Sequence, residues 1–316
     1  MERTTRTRGD SQPETGGKIP GSDGHAAFSL EAREPSLLPI LLAVPHAGQV
    51  YPSSLLAMMR DPRRNAVRLE DRHIDRVARY AAAETGAGLL VAHAPRAMID
   101  LNRSPDDVDH DMIRYGRDSA PRRTPPGWRT RNGLGLVPRR LPDVGELWTG
   151  QLGEADLAAR LDGIHTPYHE ALGAVLRRMR DRWGMALLLD IHSMPPLTPR
   201  PAGTPAPVCV LGDRFGASCD AGLANAAQEH LRDAGLTVAA NRPYAGGYVL
   251  DRHAAPRQGI HALQIEFCRS LYLDSRLMEP TEGVAATGAI LAGLIRRLSD
   301  EVALIGQGRR WDLAAE

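Results

Sequence analysis

Side chains that can transfer protons or bind metals follow several apolar stretches of this 316-residue sequence. His46 follows LLAVP, Asp190 and His192 follow a run of leucines, and Glu266 stands inside HALQIEF. In open α/β sheets, functional sites lie at the carboxyl ends of the strands. We therefore expect these side chains to meet at one edge of a sheet.

A fourth stretch, PRAMIDLNR, ends in the same way. Ile99 leads into Asp100, Asn102 and Arg103. An arginine can bind a carboxylate or phosphate through two parallel hydrogen bonds, which fixes the pose of an anionic ligand. This stretch is therefore a candidate for binding an anionic substrate at the same edge.

Two imidazoles and one carboxylate suit a hydrolytic metal site. They leave a position on Zn²⁺ for water, whose pKa then falls to about 7. A further carboxylate can accept the proton of that water and deliver it to a leaving nitrogen. Burying a carboxylate without a partner is costly, so Glu266 inside an apolar strand is expected to be paired or functional. The histidines also have a structural interpretation as caps or packed side chains, and Asp190 could either orient His192 or stabilise a loop.

Strands and helices must alternate to bring these residues together. Short aliphatic runs predict strands at LLPILLAV, LLVAHA, LLLDI, VCVLGD and HALQIEF. Apolar periodicity predicts helices at 69–88, 154–184, 217–235 and 282–305, the second of them either continuous or broken at Thr166-Pro167. This alternation predicts an α/β sandwich of three layers, with a central, mostly parallel sheet between helices.

Two segments lack such periodicity. Residues 1–29 are rich in charge, Gly and Ser, which predicts a disordered N-terminal tail followed by one domain over 30–316. The tail has no apolar stretch typical of a secretory signal. Residues 108–144 are rich in Arg, Pro and Gly, which indicates a long irregular loop that either stays solvated or gates a site.

The composition narrows the class of partner. Lys plus Arg (39) nearly balances Asp plus Glu (38), and aromatic residues are only 4%, which disfavours nucleic acid and anionic membranes. No apolar run approaches the roughly 20 residues that span a bilayer. The cysteines Cys209, Cys219 and Cys268 are too few for a disulfide framework. We expect a cytoplasmic protein that acts on a small molecule, in an oligomeric state that the sequence leaves open.

Several of the polar segments resemble those of one known family, the N-formylglutamate amidohydrolases, also called N-formylglutamate deformylases. The similar segments occur in the same order as in that family: VPHAGQVYP, EDRHID, PRAMIDLNRSPDD, NGLGLVPR, PYHEAL, LLLDIHSMP, LGDRFGASCD, NRPYAGGYVLDRH and GIHALQIEFCRSLYLD. The family in turn resembles the zinc carboxypeptidases and aspartoacylases, whose core is a mixed sheet between helices. The resemblance implies that fold and one bound Zn²⁺.

The resemblance also implies roles for individual residues. IDLNR is similar to the segment that receives a substrate carboxylate, which assigns Asn102 and Arg103 to that task. DIHS and QIEF are similar to the strands that carry a zinc histidine and the general base, here His192 and Glu266. Arg96 is expected at the oxyanion. Tyr248 is expected either in the pocket wall or as a turn tyrosine with a solvated hydroxyl. The implied reaction converts N-formyl-L-glutamate to formate and glutamate in histidine degradation.

The carboxylate ligand departs from the carboxypeptidase pattern. Carboxypeptidases have His-x-x-Glu as the first two ligands, whereas here His46 is followed three residues later by Gln49. The acids of EDRHID remain as candidates: Glu70, Asp71 and Asp75. We favour Asp71 because it opens the predicted helix near the end of a strand, with His73 as a competing neighbour. The expected ligands are therefore His46, Asp71 and His192.

Other functions stay open on the sequence. The same site could hydrolyse another N-acyl amino acid or a small amide, or the chain could be a carboxylate-binding homologue without catalysis. A hydrolase with Ser193 or Cys219 as nucleophile is a further alternative. Neither residue lies in a Gly-x-Ser-x-Gly turn, which disfavours it.

Overall fold

The computed structural model describes residues 13–116, 127–142, 144–198 and 204–315, with the side chains of 309–315 left aside. The strands in these ranges are β1 (Glu14–Gly16), β2 (Phe28–Glu31), β3 (Ile40–Val44), β4 (Gly88–Ala92), β5 (Ile113–Arg114), β6 (Arg140–Leu141), β7 (Gly145–Glu146), β8 (Leu152–Gly153), β9 (Ala186–Met194), β10 (Cys209–Gly212), β11 (Val238–Ala240) and β12 (Ile260–Cys268). The helices are α1 (Ser53–Met58), α2 (Pro62–Leu69), α3 (Ile74–Thr85), α4 (Trp128–Arg131), α5 (Glu154–Arg160), α6 (Thr166–Trp183), α7 (Ala221–Asp233), α8 (Tyr248–His253) and α9 (Gly283–Ala315). None of the helices in the described ranges is long and apolar enough to cross a membrane.

Eight strands form one sheet in the order β1-β2-β4-β3-β9-β12-β10-β11. The four central strands, β4, β3, β9 and β12, run parallel to one another. On either side the sheet continues with an antiparallel strand, β2 against β4 and β10 against β12. The predicted α/β fold with a mostly parallel, mixed sheet is confirmed.

Helices cover both faces of this sheet. The core on one face contains residues of α6 and α8, and the core on the other contains residues of α3, α7 and α9. Successive side chains of a strand point to opposite faces. In β9, Leu187 and Leu189 belong to the second core and Leu188 to the first, so Asp190 and His192 continue the row that faces α6.

The pairing of β9 with β12 decides which polar residues become neighbours. The two strands are parallel, and their register places Gln264 opposite Asp190 and Glu266 opposite His192. All of these side chains are buried. The alternation and register therefore bring an acid of the last core strand beside a histidine from 74 residues earlier in the chain.

The N-terminal segment departs from the expected tail. Residues 1–12 lie outside the described residues, but β1 and β2 extend the sheet as antiparallel strands beyond β4. Ile19 is fully buried, and the ring of Phe28 meets that of Tyr168 edge-on with centroids 5.8 Å apart. A few apolar residues suffice here, because β2 pairs with a strand edge that is otherwise open.

The predicted helix over 69–88 is shorter in the structure. Helix α2 ends at Leu69, Glu70 is extended, and α3 begins only at Ile74. It ends before Gly86, whose left-handed conformation (φ 75°) closes the helix. Residues 70–73 thus form a connection between helices, and its Asp71 N–H donates to His46 O at 2.9 Å.

The remaining predicted segments keep their general character. Between α5 and α6, residues Leu161–His165 form a π-helical turn instead of a break. Pro167 fits the first turn of α6, where no backbone N–H is required. In the 108–144 segment the described part holds short elements, including α4, and residues 117–126 and 143 lie outside the description.

Candidate active site

Three of the predicted residues meet at the carboxyl end of the central strands. His46 follows β3 by two residues, His192 lies near the end of β9, and Asp71 lies in the connection before α3. Their ligand atoms all lie within 4.8 Å of one another, and all three side chains are buried. Asp71 Oδ2 is 2.9 Å from His192 Nδ1 and 3.5 Å from His46 Nδ1. The two Nδ1 atoms therefore face the same carboxylate oxygen.

The other nitrogen of each imidazole is held by a second carboxylate. His46 Nε2 donates to Asp100 Oδ1 at 2.7 Å, and His192 Nε2 donates to Asp190 Oδ2 at 2.9 Å. Ionised carboxylates only accept hydrogen bonds, so both Nε2 atoms carry the proton. Carboxylates in this position fix the tautomer of metal-binding histidines and raise their basicity. Each Nδ1 lone pair can thus serve as a ligand.

The three residues fit a divalent metal ion. His46 Nδ1 is buried and has no hydrogen-bond partner, which is costly for a polar atom unless something else binds it. Two imidazole nitrogens and one carboxylate oxygen form the donor set of hydrolytic zinc sites. The arrangement can therefore hold one ion and leave a coordination position for a reactant.

Within the trio, the Asp71 carboxylate and the His192 imidazole stabilise each other's charged forms. Burial would raise the pKa of Asp71, but the hydrogen bond from His192 and the neighbouring His46 imidazole hold it far below its usual value. Burial would lower the pKa of His192, yet the carboxylates of Asp190 and Asp71 raise it well above its usual value. In the protein without metal these carboxylates favour the imidazolium form of His192, and a metal ion bound through Nδ1 would replace that proton.

Asp100 connects this cluster to the segment that follows β4. Its Oδ2 accepts from Arg96 Nε at 2.9 Å, and its Oδ1 also accepts from the Asn102 backbone N–H at 2.9 Å. Burial would raise the pKa of Asp100, but Arg96 and His46 hold it well below its usual value. The carboxylate that orients His46 therefore also fixes the start of the Asn102–Arg103 pair.

Glu266 lies beside the trio in a different electrostatic state. Burial raises its pKa to about 7, with Asp71 and Asp190 adding to the increase while His192 and Arg96 oppose it. Gln264 Nε2 donates to Glu266 Oε1 at 2.8 Å, which fixes the carboxyl group. A carboxyl group with a pKa near neutrality can both accept and donate a proton, as general acid–base catalysis requires.

These residues line one cavity of ≈ 380 Å³, a volume suited to a small molecule. Its wall contains the trio, Glu266, Arg96, Asn102 and Arg103. A buried acid of raised pKa therefore shares one cavity with a possible metal site and several cations, which is a typical arrangement of a hydrolase site.

Comparison with known proteins supports the same conclusion. Residues 38–273 match the N-formylglutamate amidohydrolase family. This chain belongs to that family. The predicted family and the prediction of an amidohydrolase enzyme are thereby confirmed.

Members of the N-formylglutamate amidohydrolase family resemble this chain along most of their length. N-formylglutamate deformylase from Pseudomonas aeruginosa is 30% identical over 267 residues, 83% of this chain and 92% of that protein. The enzyme of the same name from Pseudomonas putida is 30% identical over 75% of this chain and 82% of its own length. The crystal structure of N-formylglutamate amidohydrolase from Ralstonia eutropha has a TM-score of 0.77 and 32% identity, covering 87% and 98% of the two chains.

The three acids of the EDRHID segment of this amidohydrolase have different partners in the structure. Glu70 pairs with Arg72 at 3.0 Å, and Asp75 lies 3.6 Å from Arg79 on the far side of the α3 start. His73 caps α3 in a left-handed conformation and is not among the converging ligand atoms. Only Asp71 of this segment reaches the two histidines. The reason given from the sequence was wrong, however, because Asp71 precedes the helix instead of opening it.

Two predicted substrate residues of the amidohydrolase have unexpected partners. Arg103 donates from Nε to Leu134 O and from Nη1 to Asn102 O, both at 2.8 Å. Asn102 donates from Nδ2 to Gln264 Oε1 at 3.2 Å and accepts from the Val249 N–H at 2.9 Å. Both side chains line the cavity, but both are also held in place by the protein.

Tyr248 does not line the cavity of the amidohydrolase. Its ring packs on His165 and His169, with centroids 5.7 and 5.2 Å away, and its hydroxyl accepts from Arg252 at 2.7 Å. The cavity wall holds Tyr244 instead. Helix α8 begins at Tyr248 and turns its ring toward α6, whereas Tyr244 lies in the preceding loop.

Three residues of the site were not assigned a role from the sequence. Asp100 orients His46, Gln264 holds Glu266, and Arg269 donates to Ser193 Oγ at 3.1 Å and lies 3.6 Å from Asp71 Oδ1. Gln264 did carry a signal, since it lies two residues before Glu266 and so shares its face of the strand. Asp100 and Arg269 are linked to their partners only by the packing of distant segments.

Proposed function

We propose that this protein is a zinc-dependent deformylase that hydrolyses N-formyl-L-glutamate to formate and glutamate. The convergence of His46, Asp71 and His192 beside Glu266 carries the proposal. We infer the substrate from the names of the relatives. We place the reaction in histidine degradation, and we place the protein in the cytoplasm, which its three free, buried cysteines support.

Each residue of the site has a role that follows from its position. His46, Asp71 and His192 hold the ion, which when bound supplies a Lewis acid that acidifies water and polarises the formyl carbonyl. Glu266 accepts the proton of the attacking water and delivers it to the departing nitrogen, a double task for which a pKa of about 7 is well matched. The proton thereby ends on the amine of the product glutamate.

Two cations of the cavity wall act on the substrate. Arg96 uses Nε on Asp100, which fixes the guanidinium beside the trio, where it can stabilise the oxyanion that forms from the formyl oxygen. Arg103 and Asn102 bind a substrate carboxylate. Because both are held by backbone and Gln264 contacts, they need little reorganisation when the substrate arrives.

A serine or cysteine nucleophile has no support in the site. Burial raises the pKa of the Cys219 thiol far above its usual value, so it is not a thiolate at neutral pH. Ser193 Oγ accepts from Arg269 Nε, and no hydrogen bond joins it to a histidine of the described residues. These contacts favour hydrolysis by water over a covalent intermediate.

The test combines metal analysis with formate release. We expect about one Zn²⁺ per chain and loss of that metal in Asp71→Asn, since the variant removes the shared carboxylate. Glu266→Gln should keep its metal but lose at least about a hundredfold in kcat, in keeping with the loss of a general acid–base group. Glu170→Gln, an exposed glutamate of α6, is the matched control and should be unchanged.

Two outcomes would contradict the proposal. Full turnover in verified metal-free protein would remove the metal from the reaction, and full activity of Glu266→Gln would remove the glutamate. A panel of N-formyl, N-acetyl and N-succinyl amino acids decides the substrate. Preference for another acyl group would keep the site and change the assigned reaction, whereas ligand binding without turnover of any member would indicate a silent homologue.

A further inference from the structure

The charge of the cavity exceeds what the proposed mechanism needs. Five arginines line it (Arg68, Arg96, Arg103, Arg129 and Arg269), whereas the carboxylates among the lining residues are Asp71 and Glu266. Arg96 is paired with Asp100, and Arg269 lies near Asp71. With Arg96 assigned to the oxyanion, Arg103 to one substrate carboxylate and Arg269 close to Asp71, two guanidinium groups remain unassigned, whereas N-formyl-L-glutamate has a second carboxylate.

Arg129 and Arg68 are these two groups. Neither forms an ion pair with a carboxylate of the described residues, although both line the cavity. Arg129 is half-buried on α4, in the segment that closes one side of the cavity, and Arg68 lies at the exposed end of α2. Both lie at the wall and have no ion-pair partner in the part of the chain that the structure describes, which leaves their donors available to a ligand.

Arg129 also acts electrostatically on the buried Arg103 guanidinium. Burial lowers the pKa of the Arg103 guanidinium, the Asp100 carboxylate opposes this effect, and the neighbouring charges of Arg96 and Arg129 lower the pKa further. Arg103 itself donates to backbone carbonyls and has no carboxylate at ion-pair distance in the described part of the chain. Like charges held together beside a cavity are stabilised when an anion binds between them.

We propose that Arg129, together with Arg68, forms a second carboxylate subsite that selects N-acyl amino acids with an acidic side chain. Arg103 and Asn102 bind one carboxylate of the substrate, and Arg129 binds the other. The inference rests on the proposed function, but it concerns selectivity and not the hydrolytic step. It also gives a role to α4, the described helix that supplies Arg129.

The test compares two substrates of nearly equal shape. N-formyl-L-glutamate carries a second charge, and N-formyl-L-glutamine does not. We expect Arg129→Gln to lower kcat/KM for the charged substrate by about ten- to hundredfold, the value of a charge-assisted hydrogen bond. The neutral substrate should change by less than about threefold, because its side chain makes no ionic contact in either protein.

Two further variants make the result specific. Arg131→Gln changes an exposed arginine of the same helix that does not line the cavity, and it should affect neither substrate. Arg68→Gln, at an exposed position that cannot disturb the core, should reduce the preference for the charged substrate in the same direction. An equal loss for both substrates in Arg129→Gln, or no loss for either, would overturn the proposal.

A binding experiment separates this inference from the proposed reaction. Glutarate and butyrate have similar chains, but glutarate has two carboxylates, and calorimetry can follow both without turnover. We expect wild-type protein to bind glutarate at least about tenfold more tightly, with the difference lost in Arg129→Gln. If neither N-formyl substrate is hydrolysed but this difference is found, the reaction is wrong and the subsite stands. Equal affinities in the wild-type protein would refute the subsite.

Discussion

At the scale of single residues, the chemical role of a side chain in this site depends on the hydrogen-bond partners that orient it. His46 and His192 present Nδ1 to Asp71 because Asp100 and Asp190 occupy their Nε2 atoms. The pKa of Glu266 is about 7 because its carboxyl group is buried close to other carboxylates. The same side-chain types on the surface would titrate and rotate freely, so burial and partners convert ordinary residues into a reactive set.

Gln264 joins Glu266 to the substrate segment, because it donates to Glu266 Oε1 and accepts from Asn102 Nδ2. In Gln264→Leu, Glu266 loses its amide donor, and we expect kcat to fall about tenfold, the value of one hydrogen bond to a charged group. The lost bond stabilised the carboxylate, so the acidic limb of the pH–rate profile should move to higher pH. Steady-state kinetics between pH 5 and 8 measure both effects.

The metal content separates this positioning role from general damage. Gln264→Leu should keep its Zn²⁺, since Gln264 does not contact the trio at hydrogen-bond distance. Gln228→Leu on α7, outside the cavity lining, serves as the control and should leave rate and profile unchanged. A lower rate with an unshifted acidic limb would show that Gln264 does not act through Glu266.

At the scale of elements, α6 supports the substrate segment through its histidines. His165 Nε2 donates to Arg103 O and His169 Nε2 donates to Leu101 O, both at 3.0 Å. A carbonyl oxygen only accepts, so His169 Nδ1 is free to accept from His253 Nε2 at 2.9 Å. His165 and His169, which bind the carbonyls on either side of Asn102, are thus held as neutral donors. The hydrogen bond between His169 and His253 also joins α6 to α8.

This histidine cluster predicts a loss of stability in acid. Burial lowers the pKa of His253 to about 3 and that of His169 well below its usual value. Below about pH 6.5 the unfolded chain therefore binds protons that the folded protein does not, and stability falls as the pH decreases toward the folded pKa. Each such histidine contributes about 1.4 kcal/mol of lost stability per pH unit over that window.

Urea denaturation of metal-free protein at pH 7, 6 and 5 tests the prediction. His253→Gln keeps a donor for His169 but cannot titrate, so its free energy of unfolding should fall less steeply with decreasing pH than that of the wild type. His25→Gln, at an exposed position, is the control and should follow the wild-type slope. Identical slopes for His253→Gln and the wild type would show that His253 is protonated in the folded protein.

At the scale of the whole molecule, the N-terminal segment completes the sheet. Strands β1 and β2 extend it beyond β4, and the Lys18 N–H donates to Gly163 O at 2.7 Å in the turn before α6. Ile19, between these strands, is fully buried in the core on the α6 face. The segment therefore supports the same helix that holds the substrate loop.

We expect Ile19→Ala to destabilise the protein as a core substitution would. Removing a buried isoleucine side chain costs about 2–5 kcal/mol. Lys18→Ala, at the adjacent exposed position, should change the free energy of unfolding by less than about 0.5 kcal/mol. Urea denaturation of both variants measures the difference. Equal stability of Ile19→Ala and the wild type would show that the segment is not bound to the domain in solution.

The sequence alone was sufficient for the fold class, the strand-terminal histidines and the acid of the last core strand. Each of these depends on local pattern: aliphatic runs, helical period and the polar residue that follows a strand. His46, His192 and Glu266 could be selected in this way, because the ends of neighbouring parallel strands meet at one edge. The similar segments were enough to identify the family that the comparison then confirmed.

The tertiary structure decided which neighbours these residues have. The contacts of Asp71 with His192 and of Asp100 with His46 join positions 121 and 54 residues apart, and no local pattern encodes such a distance. Packing also engaged Arg103 with backbone, turned Tyr248 away from the cavity and ordered Ile19 against the sheet. Local sequence sets the type of each element, but a hydrogen-bond partner is chosen only when distant elements dock, because burial makes an unpaired polar group costly.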